Sequence, residues 1–91
     1  VDFEWDEAKS ERNRIGRGLS FDVAITLFDG PVLLEVDSRR DYGERRMKAL
    51  GMVAGEIYVC IFTDRGLVRR IISLRHANRR ERDAYRAAKF G

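Results

Sequence analysis

Residues 67–85 carry the side chains of this sequence best suited to chemistry on a phosphodiester: Arg69, Arg70, Ser73, Arg75, Arg79, Arg80, Glu81 and Tyr85. Val68, Ile71, Ile72 and Leu74 form a β-rich apolar run. Asn78 followed three residues later by Glu81 is a capping-box pattern that opens a helix. Arginines therefore line a strand, its exit and the first turn of the following helix. The first turn normally takes Asp or Glu, because the backbone is already positive there. Arg79 and Arg80 run against that preference, as residues at a functional site often do. The segment is suited to holding a polyanion.

RNA is a polyanion that such residues can cleave without a metal. Its 2′-hydroxyl is an internal nucleophile held beside the phosphorus. The protein must grip the phosphate, stabilise the added negative charge and move protons at two oxygens. Arginine and lysine serve the first two tasks. For the third, arginine rarely gives up its proton. Glu81, Tyr85 and the single histidine, His76, are the proton carriers at hand, and the sequence does not choose among them. Glu81 also reads as a plain helix cap, and Tyr85, one turn further on, as a packing residue. Ser73 and Arg75 share a strand face with Arg69 by the two-residue period, which puts Arg70 on the other. Arg69 and Arg70 also read as ordinary solvated strand residues. Arg46 and Lys48 share a face of another strand and read either as an extension of the basic surface or as simply solvated; Arg17 is a further candidate for binding RNA.

Other chemistries lack their residues. One histidine and one cysteine make no histidine/cysteine zinc site, and a lone histidine no paired-histidine catalyst. There is no glycine-rich phosphate loop. The acids of residues 1–37 have no metal-loop spacing, which leaves only a site assembled from distant carboxylates. Cys60, between Val59 and Ile61, reads as buried and inert. Neither a metal nor a cofactor is called for.

The elements that must position these residues follow from pattern. Phe3 to Asp6 reads as a short strand, with Asp6 capping a helix through Ile15 that Gly16 and Gly18 end. Ser20 opens a second helix over residues 21–28, whose core stripe is Phe21, Ala24, Ile25 and Phe28. Residues 32–36, 44–53, 57–63 and a run from Leu67 read as strands. They are joined by a polar loop at 37–43 (containing Arg39, Arg40 and Tyr42), a turn at Ala54-Gly55 and a turn at 64–66. The last helix covers residues 79–88. The order β-α-α-β-β-β-β-α predicts an α+β fold: a small antiparallel meander with two N-terminal helices and one C-terminal helix. The 91 residues make one domain, 1–91.

The net charge of +3 hides a gradient. Residues 1–37 hold four Lys/Arg against nine Asp/Glu, residues 38–64 five against four, and residues 65–91 nine against two. A basic end favours nucleic acid or another acidic partner; the plainer reading is that the two ends neutralise each other. With no transmembrane run, no signal sequence and a single cysteine, a reducing cytoplasm is the simplest compartment.

Several of these segments resemble one family. Phe3-Glu4-Trp5-Asp6-Glu7-Ala8-Lys9, Gly18-Leu19-Ser20-Phe21, Phe28-Asp29-Gly30-Pro31 and Arg70-Ile71-Ile72-Ser73-Leu74-Arg75, with Glu81 and Tyr85 downstream, resemble the BrnT toxins across nearly the whole chain. The resemblance implies a ribonuclease toxin of a type II toxin–antitoxin operon with a RelE-like fold. It also implies a BrnA-like antitoxin whose DNA-binding dimer carries the complex to operator DNA. Arg70, Ser73, Arg75, Glu81 and Tyr85 match the motif without assigned roles. Where many relatives have Lys-His-Gly before the second helix this chain has Arg17-Gly18, and Arg17 can bind phosphate but not shuttle protons. His76 stands where relatives often carry lysine. The rival from another class is a non-enzymatic nucleic-acid-binding or adaptor module acting through the basic surface; a third reading makes that surface a protein interface.

Overall fold

Asp6 sets the first boundary in the chain. The computed structural model describes residues 1–90. Strand β1 (Asp2–Trp5) ends where the Asp6 carboxylate accepts hydrogen bonds from the Ala8 and Lys9 N–H groups, starting helix α1 (Glu7–Arg17). Gly16 lies inside that helix. Gly18 ends it alone, at φ 73°, donating its N–H to the Arg14 carbonyl. Helix α2 (Val23–Asp29) is shorter than the apolar stripe predicted. Phe21 precedes it in a turn but is still buried, as are Ala24 and Leu27. Ile25, expected in the core, is exposed. In seven residues only the 24–27–28 side faces inward, and Leu27 takes the place given to Ile25.

Four strands follow: β2 (Val32–Val36), β3 (Met47–Val53), β4 (Glu56–Arg65) and β5 (Val68–His76). Their antiparallel pairing follows from hairpin connections. The β3–β4 turn has Ala54 and Gly55 both at positive φ, matching the strands' twist. The β4–β5 turn falls at Gly66-Leu67, later than predicted, and leaves Leu67 exposed at its tip. The sheet order is β1-β5-β4-β3-β2. β1 reaches the edge only after the intervening helices and meander and runs parallel to β5, with Asp2 opposite Val68 and Trp5 opposite Ile71. The sheet is therefore mixed rather than purely antiparallel. Helix α3 (Arg79–Ala87) is the last of the described elements, and the fold is α+β.

Each face of the sheet has its own core. Beneath α1 and α2 lie Leu19, Phe21, Ala24, Leu27, Ala49, Cys60, Phe62, Ile71 and Leu74. Gly51 allows this approach: a Cβ there would sit 2.7 Å from the Leu27 Cγ. Beneath α3 lie Leu50, Ile57, Val59, Ile61, Ala77 and Tyr85. No described helix is long and apolar enough to cross a membrane.

One irregularity decides which arginines meet. Ile61 pairs with Ser73 but Phe62 pairs with Ile71, so β5 has one extra residue at this point. The bulge reverses the alternation across it. Ile71 and Leu74, three apart, enter the same core. Ser73 and Arg75 fall on the α3 face with Arg70, while Arg69 falls on the opposite face. The two-residue period groups Arg69 with Ser73 and Arg75; the bulge overturns that grouping.

Candidate nucleic-acid cleft

Helix α3 is too short to cover its whole face of the sheet. The uncovered part, floored by Ile61, Ile72 and Ser73, becomes a cleft of about 810 Å³. The β2–β3 connection forms one wall through Asp37, Arg39, Arg40 and Tyr42, with Arg46 and Lys48 at the start of β3 beside it. Arg75 stands on β5. Arg17 reaches in from the end of α1, its Nη1 donating to the Leu74 carbonyl at 3.2 Å. Asn13 donates to the same carbonyl at 3.0 Å. The pair takes over the β5 edge beyond the last β1 pairing. Six cations thus line the cleft against two acids, Glu35 and Asp37. Such a concave excess of one charge concentrates the field and draws in polyanions.

Glu81 organises this charge without entering the lining. Its carboxylate completes the predicted capping box, accepting from the Asn78 N–H at 2.9 Å while its own N–H donates to the Asn78 side chain. The same carboxylate takes both ends of the Arg75 guanidinium at 2.8 Å and the Lys48 Nζ at 2.7 Å. Arg75 above all, then the Asn78 N–H and Lys48, holds the Glu81 carboxyl far below its usual range against the opposing effect of burial. A carboxylate so stabilised is a poor proton carrier. It is a fixed post for two cations.

Arg75 is held but not used up. Its Nη1 donates to Glu81 and, at 3.2 Å, to the His76 carbonyl; its Nη2 gives one N–H to Glu81. The Nε–H and the second Nη2–H form the other fork of the guanidinium, the shape that grips a phosphate with two parallel bonds. Across the cleft, Tyr42 carries the Arg46 guanidinium at 4.0 Å and that of Arg40 at 5.0 Å over its ring. The buried Arg46 Nε has no hydrogen-bond partner among the described residues. Arg39 donates two bonds to Asp37 and holds that carboxyl below its usual range. Lys48 also reaches Glu35 at 3.2 Å.

The candidate residues divide sharply. Ser73, Arg75, Arg46, Lys48 and Arg17 meet in the cleft, with Glu81 behind two of them. Arg70 shares the face but lies outside the lining, 3.5 Å from Glu4. Arg69 is on the far face, paired with Asp64 and stacked over Phe28 and Phe62. Arg79 and Arg80 are exposed in the first turn of α3 and do not line the cleft. Tyr85 is buried, its hydroxyl donating to the Pro31 carbonyl at 2.8 Å. His76 faces away and packs on Tyr58. None of the three proton carriers named from sequence opens on the cleft. The sequence pattern gives the wall of residues 37–42 only as part of a hairpin loop. Its signal was present: two arginines and a tyrosine interleaved in a polar connection.

Among the described residues no three His, Cys, Asp or Glu side chains are grouped to hold a metal ion. Burial pushes the Cys60 thiol up to about 12, which keeps it protonated and unreactive. The described residues thus offer a cation-lined cleft with a hydroxyl on its floor, suited to binding and polarising a phosphodiester.

A search of curated proteins finds no match to the chain. A family model, that of the BrnT ribonuclease toxin of type II toxin–antitoxin systems, matches residues 5–81, from the end of β1 to the Glu81 that anchors Arg75. That span includes every side chain lining the cleft, and the chain belongs to the BrnT family of ribonuclease toxins.

Proposed function

We propose that the cleft cleaves RNA without a metal, by attack of the 2′-hydroxyl on the adjacent phosphorus. The observation that carries this reading is the divided guanidinium of Arg75, a residue of the cleft lining, with one fork locked on Glu81 and the other without a hydrogen-bond partner among the described residues. In this reading the open fork takes the two non-bridging oxygens of the scissile phosphate. Arg46, Lys48 and Arg17 add positive charge as the phosphorus gains its fifth oxygen, and the Ser73 hydroxyl is a further donor from the floor. The O2′–P bond forms as the P–O5′ bond breaks. The 2′-hydroxyl proton leaves to solvent or to Glu35, the more exposed of the two acids at the cleft, and water protonates the departing O5′. The products are a 2′,3′-cyclic phosphate and a 5′-hydroxyl. The fold that holds this site is, in the same reading, RelE-like.

A protein antitoxin, BrnA-like and carrying its own DNA-binding dimer domain, neutralises the toxin by laying acidic side chains over the same cations. The test is to incubate the protein with an oligoribonucleotide in excess EDTA and to identify the new ends. Cyclic or 3′-phosphate ends formed in chelator are expected. Ends carrying 3′-hydroxyl, or activity abolished by EDTA, would falsify the route. Binding of RNA with no cleavage under any condition would instead favour a non-enzymatic nucleic-acid-binding module.

A further inference from the structure

Arg17, Ile72 and Ser73 each border two hollows. On one side is the cleft; on the other is a second groove of about 460 Å³, whose far wall is the exposed side of α1 with Lys9, Arg12 and Gly16. These helix positions recur at three and four residues and so share one side. From Lys9 to Gly16 they extend about 10 Å along the axis at 1.5 Å per residue. The groove has three cations and no acid in its lining.

Two observations set this side of α1 apart from the rest of the helix. Lys9 and Arg12 take part in none of the ion pairs among the described residues, whereas Arg14, turned elsewhere, is paired with Glu11. Gly16 sits inside the helix, where glycine is unfavourable, at ordinary helical geometry and with nothing within 4 Å of where a Cβ would be. Neither a turn nor close packing accounts for it. What the missing side chain provides is width, because any larger residue would project into the groove.

We infer that this groove is a second binding site, for the backbone phosphates of single-stranded RNA leaving the cleft, and that the strand crosses from one hollow to the other over Ser73. The inference rests on the reading of the cleft as the RNA-cleaving site and adds the form of its substrate. In-line attack by a 2′-hydroxyl requires the nucleotide to leave regular helical stacking, so the strand on both sides of the scissile bond must be unpaired. The groove has no exposed aromatic ring on which a base could stack, since Phe21 in its lining is only 2 % exposed. It therefore holds phosphates irrespective of sequence, and any base preference belongs to the cleft beside Tyr42.

The test compares the unmodified protein with a Lys9→Ala/Arg12→Ala variant and with Gly16→Leu. The first probe is a long oligoribonucleotide bearing 2′-O-methyl groups, which binds but lacks the nucleophile, followed by fluorescence anisotropy across a salt series. Each phosphate contact on a single strand contributes roughly 0.7 to the slope of log K against log salt, so the double variant is expected to flatten that slope by about 1.4. Gly16→Leu is expected to weaken binding while its melting temperature holds or rises, an outcome that damage to the fold cannot produce. The second probe is cleavage of a long oligoribonucleotide and of a dinucleotide. The double variant should raise KM for the long substrate roughly tenfold with kcat little changed, an effect absent from the dinucleotide. An unchanged salt slope, or equal losses on both substrates, overturns the groove. Failure of the unmodified protein to cleave either substrate overturns the reading of the cleft, while the anisotropy series still decides the groove.

Discussion

Glu81 ties the fold to the cleft. Its carboxylate closes the α3 cap and fixes Arg75 and Lys48, and it is held far below its ordinary value of 4.5. Because the folded-state value lies below the unfolded one, the unfolded chain binds the proton more readily. The stabilisation is complete above the ordinary carboxylate range and is lost as pH falls from about 4.5 toward the folded value. Glu81→Gln is expected to cost about 2 kcal/mol at neutral pH, since it loses a charged acceptor while two cations stay together. Its stability should also fall less steeply than the unmodified protein's on acidification below that range. Denaturant titrations at a series of pH values measure both effects. A parallel acid response would mean that other carboxylates carry it. Tyr85 provides the contrast: its hydroxyl serves Pro31, so Tyr85→Phe should cost about 1 kcal/mol of stability and leave turnover intact. A large loss of turnover in a well-folded Tyr85→Phe protein would return that hydroxyl to the chemistry.

At the level of elements, the sequence was legible wherever local chemistry acted alone. Asp6 and Asn78 announce their helices through side-chain caps, and Ala54-Gly55 announces its hairpin. The parts it concealed depend on long-range packing. The bulge opposite Ile61 and Phe62 has no glycine or proline to mark it, yet it sends Arg69 to one face and Ser73 with Arg75 to the other. Ile25 and Leu27 exchange core and surface because α2 is held by its fit to Gly51 on β3 rather than by its own hydrophobic period. Gly51→Ala should therefore cost about 1–3 kcal/mol by overpacking Leu27, with kcat unchanged because the crowding lies on the sheet face away from the cleft. Thermal melting with single-turnover kinetics checks both halves. A neutral substitution would mean that α2 moves aside freely. The loop at 37–42 was concealed for another reason: as a connection it had no periodicity to read, although its composition was that of a binding wall.

Over the whole molecule, the charge gradient seen in sequence is folded into something more specific than a basic end. Arg17, from the acidic N-terminal part, joins Arg39, Arg40, Arg46, Lys48 and Arg75 in one cleft, while Arg79 and Arg80 stay outside it. Antitoxin that covers this cleft should bind less tightly as salt rises, in proportion to the acidic side chains it inserts. Chemical crosslinks from Lys48 to the antitoxin, together with mutual exclusion of antitoxin and RNA, are the expected outcome. Salt-insensitive association, with crosslinks confined to other faces, would mean that inhibition does not act by occlusion.

The most direct test of the cleft as the site of RNA cleavage is the single-turnover rate of Arg75→Ala, measured with its melting temperature and with RNA affinity. Loss of a donor that tightens on the five-coordinate phosphorus should slow cleavage by roughly 10²–10³-fold. Affinity should fall much less, because the other cations still hold the backbone. Glu81 retains Lys48 and the Asn78 N–H, so the variant should still melt cooperatively above the assay temperature. Arg75→Lys, which keeps the charge but lacks the second fork, should stay well below the unmodified rate. Cleavage at the unmodified rate by folded Arg75→Ala, or a loss of activity that only tracks unfolding, would contradict the account.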